Sequence, residues 1–225
     1  LYLLNFDTSL DINMANMFYN CSEMTSLNLS KFQTENVKNM ENMFANCKNL
    51  SIIDLKDFNV RQVTDMNNMF FNCENLQYLD LNSFITSEVI NMTNMFSNCS
   101  SLHELYLSKF QTKKVEDMSY MFYNCNKLIN INVSSFETDN LINMEYMFYN
   151  CESLLSLDIS NINTTNVINM GYLFTNCKTL KELDLSYFNT SNVINMEYMF
   201  YHCENLTTLE LFNLDTSNVE IMDNM

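Results

Sequence analysis

Apolar and polar positions along the chain recur on a fixed cycle of 26 residues. In the cycle from Cys47 to Phe70, Leu50, Ile53 and Leu55 give the pattern L-x-x-L-x-L, the last two alternating with Asp54. Alternation of period two predicts a short strand with one buried and one solvated face. The same columns hold Leu76/Leu79/Leu81, Leu102/Leu105/Leu107, Leu128/Ile131/Val133, Leu154/Leu157/Ile159, Leu180/Leu183/Leu185 and Leu206/Leu209/Leu211. Stacked coil on coil, these strands predict a parallel sheet. Phe58 lies too far beyond Leu55 to share its strand, and is expected to plug the core at the corner. Val63, Met66, Met69, Phe70 and Cys73 then follow at steps of 3, 3, 1 and 3, a helix-like spacing. Asp65, with its counterparts Asn13, Asn39, Asn91, Asp117, Asn143, Asn169 and Asn195, stands where an N-cap acceptor is wanted. Together these predict a short helix or 3₁₀ turn over residues 66–72, opposite the strand. So short a helix depends on packing.

The cycle never slips. Cysteines fall at 21, 47, 73, 99, 125, 151, 177 and 203, and Met-Phe recurs four and three residues before most of them, with Leu173-Phe174 the one variant. A fixed period without insertions marks a stack of identical units. The expected fold is an α/β repeat solenoid, a leucine-rich-repeat-like coil of 26 residues with one short parallel strand and one short helical turn per coil. Residues 1–225 read as a single solenoid segment of about 8.5 repeats. Both ends are cut in mid-repeat, Leu1 matching Leu27 and Met225 matching Met43 and Met199, so targeting or anchoring parts are expected outside the segment. A lone coil buries too little apolar surface to offset its ordering entropy, so folding belongs to several coils together.

Composition adds constraints. The hydrophobic share of 47% supplies a dry core, and with one Gly and no Pro the turns fall to Asn, Ser, Thr and Asp, whose side chains bond nearby backbone. Net charge is −16, from 27 acidic against 11 basic residues, a field that repels nucleic acid. No apolar run is long enough to span a bilayer, so no direct membrane insertion is expected in this segment.

The stretch Phe188-Asn-Thr-Ser-Asn-Val-Ile-Asn-Met-Glu-Tyr-Met-Phe-Tyr-His-Cys-Glu-Asn-Leu-Thr-Thr-Leu-Glu-Leu resembles the BspA-like leucine-rich-repeat surface proteins, in their 26-residue variety. The resemblance covers the whole chain and rests on the Met-Phe-x-Asn-Cys block as well as the leucines. It implies a right-handed solenoid displayed on a cell surface or secreted, in some members an adhesin. Leu173 for Met, Ile162 and Leu214 for Phe, and His202 for Asn are conservative departures. Asp11 stands where Val37 or Val63 would be, and is expected to make the first partial coil irregular.

Candidate chemistry is sparse. The cysteine ladder (Cys21, Cys47, Cys73, Cys99, Cys125, Cys151, Cys177, Cys203) offers parallel side chains that match neither disulfide geometry nor a four-ligand metal cage, and reads as small buried apolar filler. Asn20, Asn46, Asn72, Asn98, Asn124, Asn150 and Asn176, ending in His202, are expected to form an amide ladder that bonds between coils. Between the strand leucines an outward column runs Asn28, Asp54, Asp80, Tyr106, Asn132, Asp158, Asp184 and Glu210. It is either a solvated strand face or a surface for a cationic partner or for calcium, which takes about 6–8 oxygens, although no dense D-x-D-x-D loop accompanies the column. A second column changes character: Asn16, Asn42, Asn68 and Asn94 give way to Tyr120, Tyr146, Tyr172 and Tyr198, with Tyr123, Tyr149 and Tyr201 three residues further on. Tyrosines on a wet face make interface anchors, and otherwise merely cover the turn. Two isolated histidines and no phosphate-binding loop leave no basis for an enzyme or a cofactor. The chain therefore reads as a non-catalytic cell-surface interaction or adhesion module, binding a protein or glycan partner through an extended repeat face. A ligand-free spacer and an intracellular interaction scaffold are the alternatives.

Overall fold

The structure, a computed structural model, describes residues 6–225. The matching of Leu1 to Leu27 falls outside them. Each strand is three residues long: β1 Ser26–Asn28, β2 Ile52–Asp54, β3 Tyr78–Asp80, β4 Glu104–Tyr106, β5 Glu182–Asp184 and β6 Thr208–Glu210. They pair in parallel as β1–β2, β3–β4 and β5–β6, each in register with the residue 26 positions on. On the strand side of the intervening coils the bridge Asn130↔Ser156 alone remains among the described residues. The expected sheet is thus three parallel pairs on one side of a stack of coils. The central residue of each strand points inward, with Leu27, Leu79, Leu105 and Leu183 buried and Ile53 and Leu209 half-buried. Phe58 is buried at the corner, as are Phe32, Phe84, Phe110, Phe136 and Phe188.

The helical turn expected over residues 66–72 is absent; no helix occurs among the described residues. Its backbone donors go elsewhere. The N–H groups of Met66, Asn68, Phe70 and Asn72 reach across to the carbonyls of Asn91, Thr93, Met95 and Ser97 in the next coil, at 2.9–3.2 Å. Between these crossings, Met69 N–H returns to the Met66 carbonyl and Cys73 N–H to that of Phe70, closing turns. Asn68 and Asn72 stand third in those turns with φ of 54° and 58°, the left-handed conformation a type II turn requires. Past its first turn a helix bonds every N–H to its own chain; the three overlapping turns here, the middle one closed by Phe71 N–H on the Asn68 carbonyl at 3.0 Å, leave every second N–H free to cross coils. The N-cap candidates serve the turns instead: Asp65 Oδ1 accepts from Asn67 N–H at 2.9 Å, and Asn39, Asn91, Asp117, Asn143, Asn169 and Asn195 repeat the contact. Parallel bridges join these residues from Asn13 through Asn195 to Ile221 without a break. The more regular hydrogen-bonded wall therefore lies opposite the strands.

Between the walls one core cluster extends from Met14 to Met199. Phe18, Phe44, Phe70, Phe96, Phe122, Phe148, Phe174 and Phe200 stack along it with ring centroids 5.4–6.0 Å apart. A buried polar column borders it. Thr138 Oγ1 donates to the Asn163 carbonyl at 3.0 Å and accepts from Asn163 N–H at 2.8 Å, and Thr8, Thr86, Thr164 and Thr190 clip their next coils in the same way. Val60 occupies this column in one coil. Asp11 leaves the first coil regular: its N–H bonds the Thr8 carbonyl at 3.0 Å, as Val37 bonds Thr34.

Candidate interaction surfaces

The Asn-to-Tyr column begins with backbone conformation. Asn16, Asn42, Asn68 and Asn94 hold φ of 53–61°, and Tyr120, Tyr146, Tyr172 and Tyr198 hold 52–59° at the equivalent positions. Asparagine tolerates this region because its short side chain bonds locally; a bulky residue there is an outlier costing about 1–2 kcal/mol. The four tyrosines accept that strain and form a stack, with centroid spacings of 4.7, 4.4 and 4.8 Å and rings within 11° of parallel. Tyr123 and Tyr149 stack beside them at 4.8 Å and meet the first column at tilted and edge angles. Tyr201 continues this second column beyond Thr175, touching Tyr198 edge-on and His202 at 4.0 Å. All seven are half-buried except Tyr201, which is exposed. The structure thus brings every tyrosine of the two columns into one herringbone patch.

Carboxylates border the patch. The Tyr172 hydroxyl donates to Glu197 Oε2 at 3.4 Å. Burial, followed by the charge of Glu145, raises the Tyr120 phenol above its ordinary range, and burial with neighbouring Tyr172, Tyr120 and Glu145 raises Tyr146 furthest. Tyr123 and Tyr172 are also raised, chiefly by burial. All four phenols therefore stay protonated and able to donate. Glu145 is pushed up by its own burial and, less strongly, by Glu197 and Asp117.

The sheet face is built differently. Asp54, Asp80, Tyr106, Asp158, Asp184 and Glu210 lie along its outward edge, but the aspartates are committed to the turn that follows. Asp54, Asp80, Asp158 and Asp184 accept from the N–H of Lys56, Asn82, Ser160 and Ser186 at 2.8–3.1 Å. The Lys56 ammonium at Asp54 and the side chains of Ser160 at Asp158 and Ser186 at Asp184, followed by these backbone bonds, hold the three carboxyls below the usual carboxylate range. No group of three or more metal-ligating side chains is gathered among the described residues. Beside the acids the face is hollowed by an open groove of about 900 Å³ lined by Tyr78, His103, Glu104, Tyr106 and Ile129. A second hollow of about 670 Å³ lies beside Ile52, Asp54, Tyr78 and Asp80. Ile52, Tyr78 and Glu104 form a second outward column that sequence reasoning passed over; the alternation about the strand leucine carried that signal.

All eight cysteine thiols are free. Cys47 through Cys177 are buried, Cys203 is half-buried and Cys21 is exposed. They are more than apolar filler: each Sγ from Cys47 onward donates to the carbonyl of a phenylalanine 29 residues earlier, at 3.1–3.3 Å. Burial pushes Cys47 and Cys99 up to about 12. In the asparagine ladder, Asn72, Asn124 and Asn150 donate from Nδ2 to Oδ1 of the preceding member at 2.7–2.8 Å. Every member, His202 included, is left-handed with φ of 57–62°. No helix among the described residues is long and apolar enough to cross a membrane.

A family described as "Mycoplasma protein of unknown function, DUF285" matches the chain over residues 2–77, 48–157 and 150–225. No curated protein sequence matches it. Among solved structures, a leucine rich repeat protein of T. pallidum is similar at 18% identity, covering 85% of this chain and 69% of that one with a TM-score of 0.44. A leucine rich cell surface protein of Faecalibacterium prausnitzii is similar at 16% identity, covering 87% and 75%, with a TM-score of 0.37. An internalin of Listeria monocytogenes is similar at 15% identity, covering 90% and 67%, with a TM-score of 0.36.

Proposed function

The chain belongs to the DUF285 family, whose repeats are BspA-like leucine-rich repeats, and we propose that it is a non-catalytic interaction module contacting a protein or glycan partner through its tyrosine ladder. On this reading residues 1–225 act as one solenoid, and its display at a cell surface or in secreted form follows from the surface-protein character of BspA-like repeats. One observation carries the proposal: Tyr120, Tyr146, Tyr172 and Tyr198 occupy left-handed positions where the preceding coils use asparagine. Backbone strain of this kind persists where the surroundings over-determine it, and clusters at functional sites. The stack returns rigid, amphipathic area with few rotamers to freeze, the economy that makes tyrosine an interface anchor. The sheet-face column of Asp54, Asp80, Tyr106, Asp158, Asp184 and Glu210 is secondary, because its aspartates already close turns.

The test is binding of the immobilised chain to a glycan array and a panel of purified secreted proteins. The quadruple variant Tyr120→Asn, Tyr146→Asn, Tyr172→Asn, Tyr198→Asn should lose whatever wild type captures. Capture that survives in the quadruple variant refutes the ladder as the contact surface. A wild-type chain that captures nothing favours the spacer.

A further inference from the structure

Resting on the ladder reading, we infer that the tyrosine columns with Glu145 and Glu197 form a docking strip for a cationic polypeptide segment, arginine side chains being their closest chemical match.

Charge and geometry on the strip agree. The charged groups acting on Tyr120, Tyr146 and Tyr172 are Glu145 and Glu197, both carboxylates. Asp117 and Glu197 act on Glu145 with the same sign. None of the five ion pairs among the described residues includes Glu145, Glu197 or Asp117. Glu197, which accepts from the Tyr172 hydroxyl, and Glu145 thus border the half-buried aromatic patch without an ion-pair partner among the described residues, as does nearby Asp117. Stacking at 4.4–4.8 Å covers the ring faces, so a partner meets ring edges and phenol oxygens, one of which already bonds Glu197. A planar guanidinium donates in a fixed fork to carboxylate and phenol oxygens alike and is weakly hydrated, so it suits this row better than an ammonium.

The protein's single glycine strengthens the assignment. Gly171 stands between Glu145 and Glu197 in their column, one coil from each. Its φ is not left-handed, so no backbone need selects it. A Cβ there would meet Asn195 Nδ2 at 2.8 Å and Asn169 Oδ1 at 3.3 Å. Those two residues adjoin the acids: the Asn195 amide donates to Glu197 Oε1 at 3.3 Å, and the Asn169 carbonyl accepts from the N–H of Met144, beside Glu145, at 3.1 Å. The missing side chain lets both amides close over the buried Gly171, so the bonds that orient the neighbouring acids are kept. A neutral glycan would leave the mutual repulsion of the acids unrelieved, and a second copy of a chain carrying −16 would add to it.

Fluorescence anisotropy with a labelled arginine-rich peptide, and with polylysine and polyglutamate of equal length, tests this at low and physiological salt. Wild type should bind the arginine peptide more tightly than polylysine and should ignore polyglutamate. Glu145→Gln with Glu197→Gln should weaken the arginine peptide about tenfold or more, the factor that about 1.4 kcal/mol represents. Glu23→Gln with Glu35→Gln, the same charge change on exposed sites in the first coils, should leave binding within about twofold. Equal weakening by both double variants, or no peptide binding, overturns the cationic partner. A neutral oligosaccharide bound in its place, or a dimer that disappears in Tyr146→Asn, also overturns it while leaving the ladder as the contact surface. Peptide binding unchanged in Tyr146→Asn with Tyr172→Asn overturns the ladder reading itself.

Discussion

Asn98 offers a direct test of why the wall opposite the strands is written in asparagine. Its φ is 60°, and its Oδ1 accepts from Asn124 Nδ2 at 2.7 Å in the next coil. Asn98→Ala puts a Cβ residue without a bonding side chain into the left-handed region, costing about 1–2 kcal/mol. It also removes the acceptor of a half-buried amide, worth about 0.5–1.5 kcal/mol net. The alanine variant should therefore lose about 2–3 kcal/mol. Asn98→Gly loses the amide bond too but adopts φ of 60° without strain, and should lose about 1 kcal/mol. Urea unfolding followed by circular dichroism measures both, with the m-value checking that the cooperative unit is unchanged. Alanine costing no more than glycine would refute the argument that backbone conformation selects these residues.

Other consequences can be checked separately. Thr138→Val leaves the Asn163 N–H and carbonyl unpaired and should cost about 1–3 kcal/mol in urea midpoint analysis; Val60→Thr, which supplies the threonine that the other described coils carry in this column, should be neutral or stabilising. Alkylation of the folded protein should label Cys21 readily and Cys203 more slowly, with the six buried thiols reacting only after unfolding, as mass spectrometry will count. Because burial raises Cys47 and Cys99 from 9.0 to about 12, the folded state holds their neutral form. Their contribution is complete below the unfolded value of 9.0 and is lost as pH rises toward 12, so the melting temperature should fall across that window. Cys47→Ala with Cys99→Ala should flatten the fall.

The strand side of the coil was legible because Leu50, Ile53 and Leu55 alternate with polar residues, and nothing but a strand buries every second side chain. The opposite side misled. Val63, Met66, Met69 and Cys73 recur every third or so position because successive turns each close a bond three residues back, and this imitates the spacing of a helix. The discriminating signal was present in Asn68 and Asn72, two asparagines four apart at left-handed positions, which a helix would exclude. The threonine clip was visible as Thr112, Thr138, Thr164 and Thr190 on the 26-residue cycle, but its meaning depends on knowing which backbone groups face it. The tyrosine columns were legible as a change of residue type. That Tyr120 and its partners are left-handed was not, since residue preference argues against it and only the asparagines above them in the column hold the clue.

The most direct test of the account is the urea midpoint of the quadruple Tyr→Asn variant at positions 120, 146, 172 and 198. If the ladder is retained for contact, relief of left-handed strain at four positions offsets the loss of three stacked pairs, and stability should stay within about 2 kcal/mol of wild type. A loss of about 5 kcal/mol or more, the scale of emptying a buried aromatic site, would make the ladder part of the core and contradict its role as a binding surface.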